Sequence, residues 1–176
     1  NLKNLKKNFK KNEFIKNNIV FFGLSAVVIL TLSYFLLPTT YNKNIIQAEI
    51  KNHILKKYKV DIKFNEKIRY GLLPKPHFVT DNLSILGKNK EIGIVKKFRV
   101  FIGIGNFFSF NKVDVKNLVF MKTDFNIKKS DLPFFTELLK TEPNENKIIF
   151  KRSNIFFMGD GDELLFLNKI DNGKFY

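Results

Sequence analysis

Residues able to do chemistry are sparse in this sequence, and their spacing does not bring them into a reactive set. His53 and His77 are the only histidines, and cysteine is absent. That removes a thiolate nucleophile, a thiolate metal site and a disulfide framework together. His53 falls on an apolar helical stripe and reads as a packing residue. His77 follows Pro76 at the start of a strand with no second histidine nearby, so it is not half of a metal pair. Asp160-Gly-Asp162-Glu163 is an acidic run without the other ligands of a calcium loop, and it reads as a turn. Gly103-Ile-Gly105 continues as Asn-Phe-Phe. It has neither the third glycine nor the following helix that a dinucleotide site needs to seat a pyrophosphate. No H-E-x-x-H, G-x-S-x-G or Walker loop occurs, and no two carboxylates are marked as an acid and base pair. The expectation is no catalytic residue, no metal, no cofactor and no enzyme.

The strongest signal lies elsewhere. Residues 19–37, IVFFGLSAVVILTLSYFLL, carry no charge. As a helix this run is about 28 Å long, close to the hydrocarbon thickness of a bilayer. It is apolar all round, unlike the helix of a soluble surface. It is too long for the apolar region of a signal peptide, and no small-x-small cleavage site follows it. The expectation is an uncleaved single-pass anchor, with Ile19, Phe22, Leu24, Val28, Leu32 and Leu36 facing lipid. Residues 1–18 hold Lys3, Lys6, Lys7, Lys10, Lys11 and Lys16 against Glu13 alone. Residues 38–50 hold Lys43 against Glu49. The positive-inside rule then keeps the N-terminus cytoplasmic and exports residues 38–176. Three parts result: a Lys-rich arm (1–18), a transmembrane anchor (19–37) and an exported domain (38–176).

The elements that must position any site follow from periodicity. Pro38-Thr39-Thr40 ends the span. Ile46, Ile50, His53, Ile54, Lys57 and Tyr58 recur at helical spacing, so residues 41–59 predict an amphipathic helix. From Tyr58 to Asn65 the pattern alternates, which predicts a strand through Tyr58, Val60, Ile62 and Phe64. Shorter alternating runs follow at 68–72, 78–86, 92–94, 98–104, 113–115, 118–121 and 125–127, the last few with room for a register change between 115 and 118. Pro74-Lys75-Pro76 forces a corner. Ser130-Asp131-Leu132-Pro133 reads as a capped helix start, with Ser130 as N-cap and a helix to about residue 140. Residues 141–146 read as a loop. Strands at 147–150, 155–158 and 164–170 close the chain, with a turn at 159–162. No βαβ alternation is visible. The fold class expected is therefore α+β, mainly β: a transmembrane helix, an amphipathic helix, then a curved antiparallel sheet with one further short helix. Glycines at 71, 93, 103 and 105 fall inside strand patterns, as on a bent sheet.

The formal net charge is +15 over 176 residues. Such an excess attracts anionic partners, yet Lys, Asn, Ile and Phe are all abundant, as in an A/T-rich coding sequence. Outside the N-terminal arm the basic residues form no long block, which argues against a nucleic-acid surface. The chain starts at Asn1 and stops at Phe175-Tyr176 as an apolar run resumes, so it reads as a fragment of a longer protein.

Residues 41–121 resemble the N-terminal part of the AsmA family of bacterial envelope proteins. The resemblance lies in ordered features after the span. The helix Ile45-Ile46-Gln-Ala-Glu-Ile-Lys-Asn-His-Ile-Leu55 is followed by the strand Lys59-Val-Asp-Ile-Lys-Phe64. Ile68-Arg-Tyr-Gly-Leu-Leu-Pro-Lys-Pro76 runs into the proline corner, and Phe78-Val-Thr-Asp-Asn-Leu-Ser-Ile85 follows. Then come Val95-Lys-Lys-Phe-Arg-Val-Phe-Ile-Gly-Ile104 and Phe107-Phe-Ser-Phe-Asn-Lys-Val-Asp-Val-Lys-Asn-Leu-Val-Phe120. Residues 122–176 do not align with the family pattern, and the chain is short for it. The resemblance implies a protein anchored in the bacterial inner membrane with a periplasmic domain, related to bridge-like lipid-transfer proteins. It also implies a role in outer-membrane assembly and phospholipid transport through an apolar β-sheet groove.

Elementary energetics is compatible with such a groove, since each acyl CH₂ left in water costs about 0.8 kcal/mol. Val60, Ile62, Phe64, Phe98, Val100, Ile102, Val113 and Val115 are the residues whose alternation would line it. The competing expectation is that they form a sealed core beneath a helix. Membrane phospholipid is the expected partner, with other envelope proteins as further partners. Two alternatives stand beside lipid handling: a membrane-anchored scaffold or docking subunit of an envelope complex, of lipopolysaccharide-transport or division type, and a tether for catalytic sequence beyond Tyr176.

Overall fold

The computed structural model describes residues 18–87, 90–103, 113–133, 136 and 147–175. Helix α1 spans Ile19–Leu36, and twelve of its eighteen residues are Leu, Ile, Val or Phe. It buries none of them, and it is long and apolar enough to cross a membrane. Ile19, Phe22, Leu24, Val28, Leu32 and Leu36 are all exposed, as the surface of a helix solvated by lipid would be. A 3-10 turn, Leu37–Thr40, follows with Pro38 in its first turn.

Hydroxyls finish α1. The last carbonyls of a helix have no partner within it. Here Thr39 Oγ1 donates to the Leu36 carbonyl at 2.7 Å, and Thr40 Oγ1 donates to the Leu37 carbonyl at 2.8 Å. The Phe35 carbonyl is reached from the sheet, by the Tyr70 hydroxyl at 2.9 Å.

Helix α2 runs over Lys43–Tyr58. Asn42 caps it, its Oδ1 accepting from the Asn44 and Ile45 amides at 3.0 and 3.4 Å. Lys56 and Lys57 sit in the last turn, where cations favour the helix dipole. Lys59 ends it with φ 57°, its amide bonded to the Leu55 carbonyl. Ile46, Ile50 and Ile54 are buried on one face, and half-buried His53 flanks them. Burial, reinforced by Lys57, lowers the His53 pKa.

Seven strands follow: β1 (Asp61–Phe64), β2 (Arg69–Gly71), β3 (His77–Gly87), β4 (Lys90–Ile102), β5 (Val115–Lys128), β6 (Lys147–Met158) and β7 (Leu164–Phe175). They form one sheet in the order β1-β3-β4-β5-β6-β7, with β2 also paired to β3. All pairs are antiparallel except β5 with β6, which are parallel. The expected antiparallel sheet is therefore corrected to a mixed one. A parallel neighbour needs a crossover rather than a hairpin, and the chain between Lys128 and Lys147 supplies it.

The first strand also differs from the expectation. It begins at Asp61, not Tyr58, because Tyr58 closes α2 and Val60 lies between helix and strand. The short runs expected later merge into long strands. In β5 and β6 the break has a visible cause, since Lys122 and Arg152 adopt positive φ (52° and 51°), as does Asn82 (51°) in β3. They occupy equivalent places, since Asp81 and Leu83 pair with Lys97 and Val95, Met121 and Thr123 with the same two residues, and Lys151 with Met121. One out-of-phase residue per strand resets the alternation without breaking the ladder. The same face stays apolar on both sides, as Phe64 shows: it pairs with Leu83 beyond the interruption yet lies 6.5 Å from the Phe98 ring before it. Thr123 and Ser153 are buried there, the Ser153 hydroxyl accepting from the Thr123 amide at 3.3 Å.

Ser130 is not an N-cap. It lies inside a 3-10 turn, Lys129–Asp131, and the Asp131 carboxylate accepts from the Lys128 amide at 3.1 Å. Most of the helix expected to residue 140, the loop at 141–146, the Lys-rich arm before residue 18, and Ile104 and Gly105 lie outside the described residues. The turn expected at 159–162 is present, closed by the Gly159 amide on the Glu163 carbonyl at 2.8 Å.

Candidate functional site: an apolar sheet face and a cleft at the end of the membrane-length helix

The apolar face is built by alternation, and among the described residues α2 covers one end of it. Ile46, Ile50 and Ile54 of α2 share one buried cluster with Ile62, Phe78, Leu83, Val95, Phe98, Val100, Leu118 and Phe120 of the sheet. Of the eight candidate groove residues, Ile62, Phe98, Val100, Ile102 and Val115 are buried in this cluster, while Val60, Phe64 and Val113 are partly buried against it. The structure thus brings all eight together on one side of the sheet. Ile62, Phe98 and Val100 have no accessible surface, so an acyl chain reaches them only if α2 lifts away.

Past β5 the face is less deeply buried. An aromatic ladder crosses the strands from Phe64 to Phe98 (6.5 Å), Phe120 (4.7 Å) and Phe150 (5.1 Å) between ring centroids. Phe125 then meets Phe150 edge-on at 5.6 Å. Phe98 and Phe120 are buried, but Phe150, Ile155 and Phe157 are only partly so. Gly173 stands opposite Phe150 on β7. Phe157 stacks on Phe166 at 4.1 Å, and Phe166 is 55% exposed. Leu164, Leu165 and Leu167 are exposed beside it, so the start of β7 is apolar on both faces. Alternation alone does not single out these outer residues. The phenylalanines here stand at 150, 156, 157 and 166, with no regular spacing to mark them.

The second feature has no local sequence signal at all. A cleft of about 800 Å³ opens between the end of α1 and the end of the sheet. Tyr34 and Phe35 form one wall, Pro74 to Pro76 and Phe101 another, and Asp114, Lys116 and Asn117 a polar rim. The rim depends on a register shift: Phe101 pairs with Asn117 but Ile102 with Val115. Lys116 is thus the extra residue of a bulge, a device that re-aims a side chain. His77 serves this corner structurally. It is buried, its Nδ1 lies 2.8 Å from the Lys75 carbonyl, and its ring sits 5.3 Å from Phe101. A Cβ at Gly71 would come within 2.7 Å of the His77 ring, so that glycine is required by close approach.

Tyr70 joins helix to sheet. Its ring packs 5.6 Å from Phe78. Burial, together with the neighbouring Tyr34 and Tyr41, pushes its pKa up to about 12, so it remains a donor at any working pH. Tyr70→Phe is expected to destabilise the chain by about 1–3 kcal/mol, the cost of an unsatisfied carbonyl. Thermal unfolding in detergent micelles measures this, and a variant as stable as the parent would show that the bond contributes nothing.

Among the described residues no group of three His, Asp or Glu is placed to hold a metal ion. The chain matches no known family and no curated protein.

Proposed function

We propose that this chain is an AsmA-like protein of the bacterial inner membrane that handles phospholipid in envelope biogenesis. In this reading α1 is the single-pass anchor, the lysines of residues 1–18 hold the N-terminus in the cytoplasm, and residues 38–176 are periplasmic. Lipid would move along the apolar face of the sheet toward the outer membrane. The observation that carries the reading is the continuity of that face. Ring contacts run from the buried core to half-buried Phe150, and further along the same strand half-buried Phe157 stacks on exposed Phe166, in a chain that also has a membrane-length helix. Exposed contiguous apolar surface of this kind marks a binding site. The ordered resemblance of residues 41–121 to the AsmA family points the same way.

The lipid-contacting stretch is then displaced from the residues first expected. Photo-crosslinkers at Phe157 and Phe166 should form phospholipid adducts in cells, while one at Val100 should form none. Absence of lipid adducts from all three positions sinks the proposal. A second reading, a docking subunit of an envelope complex, is favoured by β7 itself. An edge strand with Leu164 to Leu167 exposed on both faces suits β-strand addition by another protein. Protein adducts alone at Phe166 would support that reading instead.

A further inference from the structure

We propose that the cleft beside the end of α1 seats the headgroup of an anionic phospholipid from the bilayer that α1 crosses, with Leu73 inserted next to it. The inference rests on the anchor reading given above and adds a site to it. Three independent observations meet at one place.

The first is position. Tyr34 and Phe35 lie in the last turn of α1 and line the cleft. The ends of a membrane span sit at headgroup level, where tyrosine is favoured. The second is apolar exposure at the adjoining corner. Leu73 is 84% exposed and Leu72 is 41% exposed. They directly precede Pro74 and Lys75 of the cleft wall. A leucine so fully exposed costs free energy in water and gains it in acyl chains. The third is charge. Lys75 and Lys116 both line the cleft and neither forms an ion pair among the described residues. Among the described residues of the lining, Asp114 is the one acid, so the two lysines outnumber it. Two lysines over an apolar wall of Phe35, Phe101 and Ile102 match a phosphate attached to acyl chains, and they match a free anion poorly.

The full chain would be purified in micelles containing phosphatidylcholine and phosphatidylglycerol, and retained lipid counted by native mass spectrometry. Preferential retention of phosphatidylglycerol is expected. In the double variant Lys75→Gln, Lys116→Gln that preference should fall about thirtyfold, from the attraction lost per lysine near a membrane surface. Both lysines are exposed, so the fold should survive the change. Equal retention by the double variant overturns the headgroup site. The chain has no cysteine, so single cysteines at Leu73, Leu55 and Val28 can each carry an environment-sensitive fluorophore in vesicles. Leu73→Cys should report an apolar environment quenched by doxyl lipid, and Leu55→Cys on α2 an aqueous one. A water-like signal at 73 with an apolar one at 28 overturns this inference and leaves the anchor standing. Water-like signals at both positions overturn the anchor.

Discussion

A chain with lysine in place of both Val27 and Val28 is expected to lose stable membrane integration. Of the twelve strongly apolar residues in α1, the ten that remain, at about −0.3 to −0.6 kcal/mol each, favour insertion by roughly 3–6 kcal/mol. Two lysines near the centre of a span oppose it by about 5–7 kcal/mol. The terms cancel, and no compensation is within reach. The pair sits at the middle of α1, about 12–14 Å from either end, too deep for easy snorkelling. Both valines are exposed, and among the described residues no acid is recorded beside them to supply a counter-charge. Alkaline carbonate extraction should move the variant from the membrane pellet to the supernatant, while Val27→Leu with Val28→Leu stays in the pellet. Retention of the lysine variant would show that something other than α1 holds the chain. Sidedness is separable: protease added to spheroplasts should degrade residues beyond 40 in the parent, and their protection would reverse the proposed orientation.

What the sequence made legible, and what it hid, both follow from what alternation can report. α1 and α2 were readable because an uncharged run and a helical apolar stripe are unambiguous over sixteen to eighteen residues. The boundary at Tyr58 was not. Tyr58, Val60, Ile62 and Phe64 keep period two across a helix end, and only the left-handed turn at Lys59 separates them. β5 and β6 looked like pairs of short strands because Lys122 and Arg152 each place one residue out of phase. Placing Ile62, Phe98 and Val100 on an apolar face was within reach, because period two identifies a buried side. Whether protein or lipid does the burying is not encoded in the period, and here α2 does it. The Lys75–Lys116 cleft was invisible because it depends on a register shift between β4 and β5 and on where α1 ends. Both are tertiary facts with no local pattern.

The buried cluster that α2 shares with the sheet is where the fold is most sensitive to a single change. Ile50→Asp is expected to abolish cooperative folding. Ile50 has no accessible surface and belongs to the same cluster as Phe98 and Val100. Removing its side chain alone, as in Ile50→Ala, should cost about 2–5 kcal/mol. A carboxylate at that position adds several more, since it would be buried without a partner. The sum is comparable with the whole stability of a domain, about 5–15 kcal/mol. Hydrogen exchange of the full chain in micelles should show β3, β4 and β5 losing protection together with α2. The opposite result has a definite meaning. If α2 alone loses protection while β3 to β5 keep theirs, α2 is a separable cover and not part of one core. Ile62, Phe98 and Val100 would then become accessible, and a crosslinker at Val100 should begin to capture phospholipid. Joint loss means that α2 and β3 to β5 form one core, and on the proposed reading lipid contact then falls to β6 and β7, where Phe166 is exposed.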